Sequence, residues 1–453
     1  MDASTAPAAE DQVRVRQESI TLLAYPYETF QRDALDRTYN VPYKRFDADG
    51  YAASTHTAVE KRFRTIVVEN EYLRLTFLPD LGGRLYQVLY KPTGQRLFYN
   101  NSSLKPTPWG PSTQGGWLAV GGMEWALPVN EHGYEWGVPW TYTVDAAADH
   151  VTLTLQDSPA ANRVRAQIAV TLPAHAAYFI VRPRVINGTR ATVPIQFWIN
   201  ATLALDEKNV SPETEFILHG AEVFIHSTGN AFIPAVNVPP ADAQGPANPV
   251  PWPVIGGRDL SRYENWQDYL GLFLTGSGTN FVGAYDHAND LGIVRVFPRE
   301  TVRGVKLFAW GPRFGGRDLF ADDGSDYFEL WGGLAPTFYR YQDWPFAPGE
   351  AREWDEYWIP LSHTDGVDGA SRDVVLNLVR ESDRQAVVIA AAAARGTRGT
   401  VVLEREGMEQ RRWNVTLDPA QVFREQVDIG GTGRLKLQFR ATDGRLVAEA
   451  ISQ

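Results

Sequence analysis

The sequence predicts an all-β protein, a large antiparallel sandwich followed by a small one. Short runs of alternating apolar and polar residues recur along most of the chain, separated by Gly, Pro, Asn and Asp. Helical periodicity is weak, and the best helix candidate, a short piece near Asp33, is poor. A polar, glycine-containing stretch after Leu361 divides a long first part from a short second one.

In order, residues 1–14 read as a disordered tail, small and Pro/Ala-rich. VRVRQESITLLAYPY reads as one or two strands up to Tyr27, and Glu28 to His56 as an irregular segment wrapping the outside of a sheet. From Arg64, RTIVVENEYLRLTFLPDLGGRLYQVLYKPTGQRLFYN alternates through four strands and three turns, the pattern of a sheet with one covered face. Runs such as RVRAQIAVTL, AYFIVRPRVIN, PIQFWINATLAL, LGIVRVFP, VKLFAWG and YFELWGG continue it. Residues 236–266 are dense in Pro, Gly and Ala, cannot be a central strand, and read as either a functional loop or a poorly ordered segment. Residues 15–362 thus form the large domain, 363–373 a linker, and 374–453 a small Ig-like sandwich of seven short strands. Within it AVVIAAAAARG has alanine-rich helix propensity, but its β-branched start and strand neighbours favour a strand.

The bulk composition narrows the function. Net charge is −11 with no basic cluster, which argues against nucleic acid and against anionic membranes. Cysteine is absent, which removes disulfides, thiolate chemistry and Cys-ligated zinc. No secretion signal and no long apolar run are read, so the expectation is a cytoplasmic protein. Aromatic residues reach 12%, with 14 Trp, a load that sugar-binding β proteins often carry.

Residues 121–142, GGMEWALPVNEHGYEWGVPWTY, mix three Trp with Glu124, Glu131, His132 and Glu135. Rings beside convergent ionisable groups suit a sugar: C–H faces stack on aromatics while hydroxyls take hydrogen bonds. The glycines before Glu124 suggest a backbone that approaches a ligand closely. A tryptophan-rich loop with its acids in water is the plainer alternative.

The stretch ENEYLRLTFLPDLGGRLYQVLYKPTGQRLFYNN resembles the opening of galactose-mutarotase-like domains. More narrowly, GGMEWALPVNEHG, FVGAYDHANDLGIVRVFP with VKLFAWG, and DYFELWGG with EWDEYWIPL resemble a bacterial family of unknown function with that fold. That family is sometimes fused to tetratricopeptide repeats. The resemblance implies an antiparallel super-sandwich and a sugar or oligosaccharide ligand; no cofactor is expected. In the epimerases of this superfamily a late-chain Glu is the base and a His in a His-Gly motif is its partner. Glu329 and His132 match those positions, and Arg84 is a candidate hydroxyl contact. A second mid-chain His of the epimerases is replaced here by Asn200, a candidate substrate contact that can hold a hydroxyl but cannot donate as an imidazolium does.

Glu124 is a candidate second acid; paired with Glu329 it would suit a glycoside hydrolase or lyase. Glu135, Trp136, Trp310, Trp331 and Lys306 are further candidate substrate contacts. His219 and His226 flank a hairpin without a carboxylate partner in sequence, so no metal site is expected. The first expectation is an aldose-epimerase-like isomerase with Glu/His acid–base chemistry. A glycoside hydrolase or lyase and a non-catalytic sugar-binding protein are the alternatives.

Overall fold

The computed structural model describes residues 13–110, 113–240, 243–380, 386–429 and 433–452. Among these, strands dominate, and the chain is built on a thirteen-stranded and a nine-stranded sheet. Pairing is antiparallel apart from short contacts such as Leu23 and Ala24 with Ser103 and Leu104. Six strands of the larger sheet carry the site: β1 (Trp117–Ala126), β2 (Trp198–Leu203), β3 (Glu222–Thr228), β4 (Tyr269–Thr275), β5 (Gly304–Trp310) and β6 (Phe328–Gly333). Their spatial order is β3-β4-β5-β6-β2-β1.

Alternation sorts these strands into two faces. Met123 and Trp125, Ile199 and Ala201, Leu270 and Leu272, Val305 and Leu307, and Phe328 and Leu330 point inward. They pack with Leu153, Ile168, Val181, Ile293 and Trp358 of the nine-stranded sheet in one continuous core. The opposite face carries Glu124, Asn200, Trp331, Lys306, Phe273 and Phe224, aligned as direct neighbours across the six strands. The next row reads Gly122, Thr202, Glu329, Phe308, Gly271 and Ser227. Both rows are covered by loops, so the strands are buried on either side.

Several expectations change. The segment 28–56 is not irregular: it forms a hairpin, Gln31–Asp36 with Val41–Phe46, and one helical turn, Ala48–Ala52. Asp33 therefore lies in a strand, where its side chain pairs with Lys44 across the hairpin. Residues 236–266 hold three two-residue strands and anchor in the core through Trp252, Ile255, Leu260 and Trp266. The tail read over 1–14 lies outside the described residues except for its end, where Arg14 already pairs with Glu69.

The C-terminal residues form two four-stranded sheets around Leu376, Ile389, Leu403, Leu437 and Phe439. The alanine-rich run is the strand Ala386–Ala393, held between Val374–Arg380 and Phe423–Asp428. Val367, Val375 and Ala394 pack onto Tyr285 and Ile359 of the sandwich. No helix among the described residues is long and apolar enough to cross a membrane.

Candidate functional site

Glu124 is the buried hub of the site. Its Oε1 accepts from His132 Nδ1 at 2.5 Å and Asn200 Nδ2 at 3.0 Å; its Oε2 accepts from Arg84 Nη2 at 3.0 Å and Trp117 Nε1 at 3.1 Å. Burial opposes ionisation, but the charges of His132 and Arg84 and the bonds from His132 and Asn200 prevail. They hold the carboxyl at about 2.

Trp117 and Glu124 meet because their strand bends. Seven residues of regular strand would span about 23 Å, too far for two side chains to touch. Gly121 and Gly122, at φ +89° and +75°, turn the chain between them. A Cβ at Gly121 would sit 2.2 Å from Tyr99 O, and one at Gly122 2.7 Å from Leu85 O. These glycines thus serve close strand contact inside the fold, not approach to a ligand as the sequence suggested.

His132 arrives from the loop after β1. Tyr134 N bonds to Leu127 O, and Gly133 has φ +63° with no room for a Cβ, 2.2 Å from Leu127 N. The imidazole stacks on Trp117 at 3.9 Å and 15°, and its centroid lies 5.1 Å from that of Trp331. With Nδ1 engaged by Glu124, Nε2 has no protein partner among the described residues and is left for the cleft. A carboxylate that fixes one imidazole nitrogen and presents the other is the arrangement a proton-transferring histidine needs.

Glu329 faces the same cleft. Its Oε2 accepts from Trp331 Nε1 at 2.9 Å, while Oε1 has no protein partner among the described residues. Burial raises its pKa, and the nearby charge of Glu124 adds to this against the pull of Lys306 and His132. Lys306, directly opposite Trp331 in the register, lies over the rings of Phe338, Trp331 and Phe308.

The cleft between these groups has a volume of 70 Å³ and is walled by Trp109, Trp117, Phe308 and Phe320. Ligand pockets for drug-sized molecules run to about 300–1,000 Å³, so this hollow is well below that range. Larger hollows, 610 and 920 Å³, lie where Arg372 and Asp373, or Arg380 and Arg434, meet the sandwich.

The structure thus gathers His132, Glu329, Lys306, Trp331, Asn200, Arg84 and Glu124 on one face. Three expectations about them change. Glu124 is not a second proton donor, because its oxygens are occupied and it stays ionised. Arg84 is not a hydroxyl contact: it is 1% exposed and spent on Glu124 and Gly121 O. Asn200, fully buried, holds Glu124 rather than lining the cleft.

The remaining candidates lie elsewhere. Glu135 pairs with buried Arg163, which also reaches Asp157. Trp136 donates to Gln114 and packs with Tyr27 and Leu81. Trp310 shares the face of Lys306 and Phe308 but is sealed beneath Phe320 and Tyr327.

The sequence reading missed Ser227, Trp117 and Trp109 as cleft residues; it named Glu131 only within the 121–142 cluster and weighed His226 only as a metal ligand. His226 and Ser227 share the cleft because of a β-bulge between Ile225 and Ser227, a shift that alternation does not announce. Burial and the Lys306 charge push His226 down to about 4, against Glu131, so it is neutral at pH 7. His219 sits apart, against Phe281. No set of three His, Asp or Glu among the described residues is placed to hold a metal.

Fold and cleft define the class: an antiparallel-rich β super-sandwich with a ring-walled, ionisable cleft on one sheet. Residues 36–361 match the family described as a domain of unknown function, DUF5107, and the chain belongs to it. Residues 369–449 match the second domain of YphG-like proteins. Among solved structures, a TPR-domain containing protein from Parabacteroides distasonis is similar at a TM-score of 0.61 and 22% identity, over 77% of this chain and 55% of that one. This chain therefore spans about half the length of that protein. A galactose mutarotase-like protein from Clostridium acetobutylicum is similar at 0.46 and 10% identity, over 66% of this chain and 96% of that one. Slr1438 from Synechocystis is similar at 0.46 and 14% identity, with 66% and 96% covered.

Proposed function

We propose that this protein binds a sugar in the β1–β6 cleft and exchanges protons at its anomeric centre. The observation that carries this reading is the convergence of His132 Nε2 and Glu329 Oε1 on one ring-walled hollow. Glu329 takes the proton of the anomeric hydroxyl, and His132 protonates the ring oxygen. The ring opens, the carbonyl turns, and the roles reverse on closure. Glu124 acts as the positioning residue, because it fixes the imidazole and balances its charge. Trp117 is occupied by His132, so Trp109 and Phe308 remain as ring surfaces for the sugar.

A hydrolase using Glu124 with Glu329 is less well supported, since the bonded state of Glu124 removes that pair. The test is NMR exchange or polarimetry on freshly dissolved anomers of a panel of aldoses. Acceleration is expected with at least one sugar, falling about 10²–10⁴-fold in Glu329→Gln. Sugar binding without acceleration, indifferent to Glu329→Gln, would instead make this a binding protein.

A further inference from the structure

The chain has seven lysines. Lys44, Lys61, Lys91, Lys105, Lys208 and Lys436 each lie within 3.5 Å of a carboxylate oxygen. Lys306 differs from all of them. It is 5% exposed, and no hydrogen bond or direct ion pair is formed by it among the described residues; Glu329, Glu131 and Glu124 act on it only at longer range. Its Nζ lies 4.7 Å from the ring centroid of Phe338, 4.8 Å from Trp331 and 5.2 Å from Phe308. The indole of Trp331 carries Glu329 on its Nε1, so Lys306 shares a wall with the acid of the cleft.

A buried ammonium without a counter-ion is costly, and such a lysine readily sheds its proton. Burial lowers the proton affinity of Lys306 more than Glu329, Glu131 and Glu124 raise it. A neutral amine in an apolar wall is the form that adds to carbonyls. The ring opening set out above creates a carbonyl beside it, since C1 of an opened aldose is an aldehyde.

We propose that Lys306 is a nucleophile that forms an imine with the aldehyde of an open-chain aldose held in this cleft. For sugars that arrive as rings, the proposal rests on the ring-opening reading. After ring opening Glu329 carries a proton and His132 is neutral. The amine lone pair forms the N–C1 bond while the carbonyl electrons move to oxygen, which takes the Glu329 proton. The nitrogen passes one proton to His132. His132 returns it to the C1 hydroxyl, which leaves as water as the nitrogen lone pair closes the C=N bond. The nitrogen gives its last proton to Glu329. Aldehyde and amine become imine and water, and both residues regain their starting states.

Reductive trapping tests this. Full-length protein is incubated with sodium cyanoborohydride and either glycolaldehyde, which cannot close a ring, or glucose. Peptides are then mapped by mass spectrometry. Lys306 is expected to gain the mass of the aldehyde less one oxygen, to an extent roughly ten-fold above any paired lysine. The label should be absent from that peptide in Lys306→Arg, while the other six lysines label equally in both proteins and serve as internal standards.

Labelling of Lys306 no greater than at the paired lysines, with both aldehydes, overturns the proposal. So does binding of glucuronate that leaves Lys306 unlabelled, which would make it a reader of anionic sugars. Labelling by glycolaldehyde alone supports the nucleophile and counts against ring opening. Anomeric exchange in wild type without any label at Lys306 sinks the imine and leaves ring opening standing.

Discussion

Replacing Glu124 by Gln keeps the side-chain shape but removes the charge and one acceptor. Four donors converge on the carboxylate, and one of them belongs to Arg84, 1% exposed. An amide can accept through its oxygen on one side; on the other its NH₂ opposes either His132 and Asn200 or Arg84 and Trp117. The guanidinium is then stranded in the interior. Descent of the carboxyl from an ordinary 4.5 to about 2 corresponds to about 3 kcal/mol at 1.36 kcal/mol per tenfold in proton affinity. Removing one partner of a buried pair independently suggests about 3–5 kcal/mol.

The sign follows from the lowered pKa. The stabilisation is complete above 4.5 and is lost as pH falls through that value toward about 2. Urea unfolding followed by tryptophan emission reports the sandwich, because every Trp except Trp413 lies before residue 363. A loss of about 3 kcal/mol is expected at pH 7, with the gap to wild type narrowing between about pH 5 and about pH 3. The double variant Glu124→Leu with Arg84→Met should lose less than Glu124→Gln alone, since no charge is stranded. A loss below about 1 kcal/mol, or a gap that ignores pH, would refute the hub role of this carboxylate.

Other outcomes follow from the same geometry. Gly133→Ala places a methyl 2.2 Å from Leu127 N at φ +63°; it should cost roughly 1–3 kcal/mol, and an unchanged melting temperature would contradict this. Lys306→Met removes a desolvated amino group and should raise stability at pH 7 by roughly 0.5–2 kcal/mol. Because the native state binds the Lys306 proton less tightly than the unfolded chain, wild type gains stability as pH climbs toward 10.5 and the difference closes; melting at pH 7 and in alkali checks it, and a less stable variant at pH 7 is the adverse result. The acid limb of anomeric exchange should lie above 4.5, since burial raises Glu329; a limb at or below that value would remove Glu329 as the base.

Much of this fold was legible because strand alternation is a local property. LRLTFL, HVTLTLQ and RVRAQIAVTL alternate on paper as they do in space. The alanine-rich strand was legible from its β-branched start. The hairpin at 31–46 was not, since its strands are mostly polar and only Val41 and Phe46 at the ends of the second are buried.

For the site, the histidine of EHG and the glutamate of FELWGG were visible as motif positions, and the structure brings both to one cleft. The state of Glu124 was not visible, because its donors come from residues 84, 117, 132 and 200. The density of residues 121–142 also misled: the chain reverses at Gly133, so Glu124 and His132 serve the cleft while Glu135 and Trp136 turn to Arg163 and Gln114.

The register of the six strands separates chemistry from selectivity. Lys306 and Glu329 are set mid-sheet, where ladders on both sides fix their neighbours, and Glu124 is paired across to Asn200. The rim of the cleft is furnished instead by Trp109, Glu131 and Phe320, which stand on connections between strands. On the proposed reading, changes in these connections would alter the guest while Glu329 and Lys306 keep their spacing; His132, which shares a connection with Glu131, would have to be retained.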